Sequence, residues 1–127
     1  MAGKKSRRKG VAAEQHIVKV FRNAFGGEWS RKKIGTPGPD IETPKDFPFA
    51  IEVKNDASVK MIHLYRPTAL LRKYWDQASA QADALDLAPL LVCKIESHWF
   101  ASTNWDEWRL LEDWIAYSRN SLCIMQG

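Results

Sequence analysis

The first regular pattern along the chain is helical. Its apolar positions, recurring at helical spacing, are Val11, Ile17, Val18, Phe21 and Phe25. The pair Gly26-Gly27 that follows is typical of a helix end, where glycine readily adopts the left-handed backbone. The pattern therefore predicts an amphipathic helix over residues 10–25. Residues 1–9 offer almost nothing to bury, so we expect a flexible basic arm there and a single domain over residues 10–127.

Two further helices are expected in the C-terminal half of the chain. One runs from Pro67, since proline is accepted in the first turn of a helix, to about Leu87. The other follows a cap at Thr103 or Asn104, and tryptophan and leucine side chains give it an apolar side.

Strand patterns fill the intervals between these helices. Alternation in residues 47–54 places Glu52 and Lys54 on one face of a strand, and residues 40–54 as a whole are expected to form a β-hairpin. The continuous apolar run over residues 89–95 is typical of a strand covered on both faces. Shorter strands are expected over residues 28–34, 98–102 and 121–125. This order of elements predicts an α/β protein with one sheet flanked by helices.

Length and composition narrow the class of protein. The chain has 127 residues, of which 45% are apolar, and this suits one domain with a core of its own. No apolar run approaches the roughly 20 residues of a membrane span, so no membrane partner is expected. Two cysteines are too few for a disulfide framework, which favours a reducing cytoplasm.

Positive charge is concentrated at one end of the chain. Residues 1–33 hold ten of the nineteen Lys and Arg residues but only two of the fifteen acidic residues. This asymmetry favours a polyanionic partner, most simply nucleic acid, although a solubilising tail has the same composition. The residues that we expect to bind DNA phosphates are Lys4, Lys5, Arg7, Arg8, Lys9, Arg31, Lys32 and Lys33.

Two acidic residues and a lysine are placed for phosphodiester chemistry. Asp40 opens one strand of the expected hairpin, while Glu52 and Lys54 share a face of the other. Two carboxylates that approach each other repel unless a cation lies between them, and their oxygens then suit Mg²⁺ or Mn²⁺. Lys54 would stand beside that cation, where its ammonium group can hold water or stabilise charge on a phosphate. Glu14, on the first helix, is a further candidate ligand.

Each of these residues also has an ordinary structural explanation. Glu52 and Lys54 could be a solvent-facing pair, and Glu14 a charge on a helix surface.

The three histidines are scattered without ligand spacing, which argues against a histidine metal site. Cys93 lies within the apolar run and is expected in the core.

The acids and the lysine also match a known motif. The dipeptide PD at Asp40, eleven further residues and then EVK, ending at Lys54, resemble the PD-(D/E)xK motif of nucleases. The helix RKGVAAEQHIVKVFRNAF, the GTPGPDI loop, the FAIEVKN strand, the YWDQ helix and the PLLVCKI strand follow in the order seen in archaeal-type Holliday junction resolvases. The resemblance covers about residues 6–95 and implies the restriction-endonuclease-like fold, a mixed central sheet with helices on both faces.

The resemblance assigns roles to individual residues. The matched catalytic and supporting positions are Glu14, Thr36, Asp40, Glu52, Lys54 and Gln77. The implied metal ligands are Asp40, Glu52, Glu14 and the carbonyl group of Val53. Lys54 matches the catalytic lysine, and Gln77 matches a supporting glutamine on the second helix. Thr36 stands for a hydroxyl residue of the loop before the motif, and Ser30 is the other candidate.

The implied function is that of a structure-selective DNA endonuclease. Its reaction is Mg²⁺-dependent phosphodiester hydrolysis, with Mn²⁺ as a substitute, on a four-way (Holliday) junction bound by a two-fold homodimer. Trp99 and Phe100, neighbours on a predicted strand, are the first place to look for the dimer interface. The alternatives are a related nuclease that acts on flaps, ends or duplex sites, and an inactive nuclease fold that only binds DNA. The expected location is the cytoplasm of a prokaryote or of a phage-infected cell, and no small-molecule substrate is expected.

Overall fold

Three α-helices, one 3-10 helix and six strands make up the described part of the chain. The structure, a computed structural model, describes residues 2–33, 35–105 and 107–126, and their side chains except at residues 2–7 and 122–126. In chain order the elements are α1 (Ala2–Phe25), β1 (Ser30–Arg31), β2 (Ile41–Glu42), β3 (Phe49–Lys54), the 3-10 helix (Met61–Leu64), α2 (Ala69–Ala84), β4 (Ala88–Ile95), β5 (His98–Asn104), β6 (Glu107–Leu110) and α3 (Leu111–Gln126).

A mixed four-stranded sheet in the order β3-β4-β5-β6 forms the centre of the fold. Strand β3 runs parallel to β4, with Glu52 opposite Leu91, and the other two pairings are antiparallel. Helix α2 makes the crossover between the parallel strands and covers one face of the sheet, while α1 and α3 cover the other. The prediction of an α/β fold with a mixed central sheet and helices on both faces is therefore confirmed.

The face of the sheet toward α1 and α3 carries an aromatic core. Phe21 is fully buried at its centre, because the helical spacing of α1 directs it onto the sheet. The rings nearest to Phe21, with centroids 5.2 to 6.1 Å away, are those of Phe25, Trp29, Phe47 and Trp114. Ile51 and Val53 of β3 extend this core into the sheet.

The face toward α2 has a smaller apolar cluster built from β4 and α2. Its buried members include Leu71 and Ala78 of α2, and Cys93 lies in this core as predicted. Helix α2 begins at Ala69 because Thr68 caps it, accepting a hydrogen bond from Leu71 N at 3.2 Å. The helix is therefore shorter at both ends than the predicted span from Pro67 to Leu87.

The predicted hairpin over residues 40–54 does not form. Strand β2 pairs antiparallel with β1, with Arg31 opposite Ile41. Of residues 28–33, the described part of the expected strand 28–34, only Ser30 and Arg31 form a strand. In the described sheet, strand β3 pairs with β4 alone, and each paired residue lies 39 positions further along the chain, as in Phe49 opposite Ala88. Alternation alone could not distinguish a neighbour in sequence from a parallel partner across a helix.

At the N-terminus, α1 starts at Ala2, so residues 2–9 are the first turns of the helix rather than an arm that precedes it. Five of its eight residues are Lys or Arg, which have high helix propensity and continue the helix that packs beyond Gly10. No helix in the described part of the chain has the length and apolar character of a membrane span.

The C-terminal elements also differ from the expectation. The last helix begins at Leu111 instead of next to Asn104, because β6 intervenes and pairs with β5. The burial of β6 alternates, and its half-buried Trp108 packs on the α2 face. Residues 121–125, expected to be a strand, lie within α3, since no glycine or proline interrupts the helix before Gln126.

Candidate active site

Asp40 is fixed at the edge of the central sheet by the backbone. Its Oδ2 accepts a hydrogen bond from the N–H of Val53 at 2.9 Å. That N–H lies on the side of β3 that has no strand partner in the described sheet, so the carboxylate satisfies an edge donor. The carbonyl group of Asp40 accepts from Lys32 N at 2.9 Å, which ties the residue to the end of β1.

The loop before Asp40 is tightly folded. Gly38 has a φ of +117°, a conformation that side chains rarely adopt, and a Cβ there would lie 2.6 Å from Lys32 Nζ. The same ammonium group donates to the carbonyl oxygen of Pro37 at 3.2 Å. The glycine and proline content of this segment therefore serves to direct Asp40 toward β3.

Glu52 and Lys54 project from the same face of β3, as the strand period predicts. Glu52 is only 2% exposed, while the Lys54 side chain is 22% exposed and reaches the surface. Lys54 Nζ lies 3.7 Å from Glu52 Oε2 and 4.8 Å from the ring centroid of Tyr74. Glu52 Oε2 is buried and has no hydrogen-bond partner in the described part of the chain. Burying such an atom destabilises the folded protein unless another group or an ion binds it.

Asp40, Glu52 and Glu14 are close enough for the charge of one carboxylate to change the pKa of another. Burial, followed by the negative charge of Asp40, raises the pKa of Glu52 to about 7, and the nearby ammonium group of Lys54 opposes this shift. The pKa of Glu14 is also raised, first by burial and then by the charge of Asp40. A cation placed among these groups would favour their ionised forms.

Glu14 approaches the site from α1 but already has a partner. Its Oε1 accepts from Arg31 Nε at 3.0 Å in a half-buried ion pair. Among the described residues, no three His, Cys, Asp or Glu side chains converge on one metal position. Asp40 and Glu52 are therefore the two acids best placed to bind a metal ion. The carboxylate of Glu14 is already paired with Arg31.

The donors present fit a hard divalent cation. Glu52 Oε2 is a buried oxygen without a hydrogen-bond partner among the described residues, and Asp40 uses one of its two carboxylate oxygens for Val53 N–H. With the backbone carbonyl of Val53, these groups form an all-oxygen set of the kind that Mg²⁺ and Mn²⁺ prefer.

A glutamine contacts Glu52, but it is Gln81 rather than Gln77. With its amide nitrogen facing the acceptors, Gln81 donates to Glu52 Oε1 and to the carbonyl of Gly38, both at 2.9 Å. Gln77, one turn earlier on α2, is exposed. The signal for Gln81 lay in the helix pattern, since the buried stripe through Ala78 continues at positions 81 and 82.

Neither candidate hydroxyl residue reaches the carboxylates. Ser30 Oγ donates to Glu42 Oε2 at 3.3 Å on the small sheet. Thr36 is exposed, and its N–H closes a turn on the carbonyl of Lys33 at 3.1 Å. In the described part of the chain no hydrogen bond joins either hydroxyl to Asp40 or Glu52.

The basic residues expected to bind DNA are divided into two groups. Arg31 is engaged with Glu14 and Lys32 with a carbonyl group, whereas Arg8, Lys9 and Lys33 are exposed. The side chains of Lys4, Lys5 and Arg7 lie outside the described residues.

A mixed sheet with an Asp at its edge and a Glu-x-Lys strand is the arrangement of a PD-(D/E)xK nuclease. Residues 5–122 match the model of the family described as "Phage putative PDDEXK endonuclease". The chain belongs to this family, and its class is therefore that of the PD-(D/E)xK nucleases, as the sequence resemblance implied. No curated protein and no solved structure matched the chain.

Proposed function

We propose that this protein is a divalent-metal-dependent DNA endonuclease that resolves four-way junctions, and that its active site consists of Asp40, Glu52 and Lys54. The observation that supports the site most directly is the buried Oε2 of Glu52, which has no hydrogen-bond partner in the described part of the chain and lies near Asp40 and the partly exposed ammonium group of Lys54. A buried carboxylate with a purely structural role normally accepts hydrogen bonds on both of its oxygens.

Asp40, Glu52 and the carbonyl of Val53 are the groups that would hold Mg²⁺, or Mn²⁺ in its place. Bound there, the ion would polarise a phosphodiester and supply a nucleophile at neutral pH. Val53 N–H holds Asp40 in place for this role, and Gln81 holds Glu52.

Lys54 is the group of this chain that meets the reacting phosphate. Its ammonium group lies beside the buried Glu52 but remains partly exposed, so it can donate to a phosphate oxygen that approaches from solvent. A charge-assisted hydrogen bond strengthens as negative charge develops on that oxygen, and this stabilises the transition state over the ground state.

The junction substrate and the homodimer are the finer parts of the proposal. Symmetric cleavage of a junction needs two sites of opposed polarity, and one chain supplies a single Asp40–Glu52–Lys54 site, so a closed two-fold dimer is required. Trp99 and Phe100, the expected interface residues, are both half-buried within the chain, on opposite faces of the sheet. The phage family supports a place of action in the cytoplasm of an infected cell.

The experiment compares a synthetic four-way junction with flap, nicked and linear duplexes of the same sequence. We expect paired incisions in opposed strands of the junction in Mg²⁺ or Mn²⁺, none in EDTA, and a mass by light scattering of about twice 14.5 kDa. The variant Lys54→Ala is the control for contaminating nucleases.

The alternatives give different results in the same experiment. Faster cutting of flaps, ends or linear duplex, with single uncoupled nicks in the junction, would reject the resolvase and leave a nuclease of another specificity. DNA binding without cleavage in any divalent metal would indicate an inactive nuclease fold.

A further inference from the structure

A cleft beside the candidate active site collects lysine side chains. Lys9 of α1, Lys60 of the segment after β3 and Lys94 of β4 line a cavity of about 170 Å³, together with Asn55. We call this cavity the lysine cleft. All three lysines are exposed, and none of them forms an ion pair with a carboxylate in the part of the chain that the structure describes.

The acidic residues of the lysine cleft are occupied by other donors. Asp56 Oδ1 accepts from the N–H and the hydroxyl of Ser58, and Asp56 Oδ2 accepts from the hydroxyl of Tyr74. Glu96 Oε2 accepts from the N–H of Met61 at 2.7 Å. The acids hold the walls of the cleft and keep their negative charge, but three lysines against two carboxylates leave the lining with a net positive charge.

The lysine cleft adjoins the active site through Asp56 and Tyr74. Asp56 lines the cleft and accepts a hydrogen bond from the hydroxyl of Tyr74, and Lys54 Nζ lies 4.8 Å from the centroid of the Tyr74 ring. On α1, Lys9 precedes Glu14 by five residues, which is about 7.5 Å along the helix axis. A neighbouring depression shares Asn55 and Lys94 with the cleft and extends along α1 to His16.

We propose that the lysine cleft binds the phosphate backbone of duplex DNA next to the phosphodiester held at Lys54, with Lys9, Lys60 and Lys94 as the phosphate contacts. This inference rests on the proposed nuclease function. Charge complementarity identifies the partner, because three exposed lysines that line one cleft next to a phosphodiester site favour a polyanion whose phosphates continue beyond that site. Neither Lys60 nor Lys94 belongs to the basic N-terminal segment that the sequence singled out.

The test is the salt dependence of binding to a labelled duplex in EDTA, measured by fluorescence anisotropy. The double variant Lys60→Ala/Lys94→Ala should lower the slope of log K against log salt by about 1.8, since each phosphate contact contributes about 0.9. Between 50 and 200 mM salt, the wild type should therefore lose about tenfold more affinity than the variant. The matched control is Lys19→Ala/Lys45→Ala, which removes the same charge from exposed positions outside the cleft.

Plasmid cleavage by the wild type in Mg²⁺, run in parallel, separates the two proposals. A selective loss of slope in the cleft variant supports the lysine cleft, whether or not the plasmid is cut. An unchanged slope, or equal losses in the two double variants, overturns it and leaves the nuclease function standing. A wild type that neither binds nor cuts DNA overturns both.

Discussion

The two faces of strand β3 show how one short sequence serves two purposes. Toward α1 and α3, Ile51 and Val53 meet the aromatic core around Phe21. Toward α2, Glu52 and Lys54 emerge from the same strand, and the Glu52 carboxylate is almost as buried as its apolar neighbours. Ile51, Glu52 and Val53 are all buried, but the first and last are apolar and Glu52 carries a carboxylate.

This difference teaches where the stability of the fold comes from. A carboxylate whose pKa is raised by burial destabilises the folded state at neutral pH, so the α2 face carries a local cost. The interlocked rings on the other face supply the apolar burial that offsets it. Substitutions on the two faces should therefore change different properties of the protein.

The largest effect on stability is expected in the aromatic core. Phe21→Ala removes a fully buried ring that contacts four others, and we expect it to lower the free energy of unfolding by about 3–5 kcal/mol. Urea denaturation measures this loss, and Phe21→Leu is the milder control. A loss below about 1 kcal/mol would contradict the central place of this ring in the core.

The largest effect on activity is expected on the opposite face. Asp40→Asn and Lys54→Ala should each reduce cleavage by at least about 100- to 1,000-fold, because they would remove the proposed metal ligand and the proposed phosphate donor. Their urea midpoints and DNA affinities should stay close to those of the wild type, since affinity comes mainly from phosphate contacts. Glu42→Gln removes an exposed carboxylate two residues from Asp40 and is the matched control. Cleavage by Asp40→Asn at the rate of Glu42→Gln would show that the site lies elsewhere.

The pH dependence of stability distinguishes the two faces in metal-free protein. The pKa of Glu52 is about 7 in the fold against an ordinary value of 4.5. Between these pH values the folded protein binds more protons than the unfolded chain, so Glu52 makes stability fall as pH rises. Glu52→Gln cannot ionise, and at pH 8 in EDTA it should be more stable than the wild type by on the order of 2–3 kcal/mol.

Thermal unfolding in EDTA at pH 4 and pH 8 measures this effect. The two proteins should be nearly equal at pH 4, where the carboxyl group is protonated in both states. If the proposed metal site is correct, Mg²⁺ added at pH 8 should raise the melting temperature of the wild type and leave that of Glu52→Gln unchanged, because the ion would bind the native carboxylates and not the unfolded chain. A constant difference at both pH values would contradict a titrating buried carboxyl group.

The parts of the site that could be predicted from sequence depend on local geometry. Glu52 and Lys54 share a face because strand side chains alternate, and the Gly-Pro loop marks the turn that presents Asp40. These two features need no knowledge of which elements pack together. The position of Asp40 beside β3 is different, because it was expected from a hairpin that does not form and instead depends on the contact between Asp40 and Val53 N–H.

The parts that could not be predicted depend on contacts between distant segments. The partner of β2 is β1 rather than β3, and Arg31 lies next to Glu14 although 17 residues separate them. The contact of Gln81 with Glu52, while Gln77 is exposed, could not be predicted for the same reason. Predicting it requires knowing which stripe of α2 faces Glu52, and packing against β4 decides this.

The smallest effect is expected from the glutamine pair and tests the packing of α2 against the site. Gln81→Ala removes the donor to Glu52 Oε1 and to the Gly38 carbonyl, so both the carboxylate and the loop that carries Asp40 lose a restraint. A lost hydrogen bond to a charged group of about 1.5 kcal/mol corresponds to roughly a tenfold slower single-turnover cleavage at saturating DNA. Gln77→Ala is the matched control on the exposed side of the same helix, and alanine suits a helix at both positions. Equal rates for the two variants would show that the contact with Gln81 does not position Glu52, whereas a selective loss in Gln81→Ala assigns that role to the buried stripe of α2.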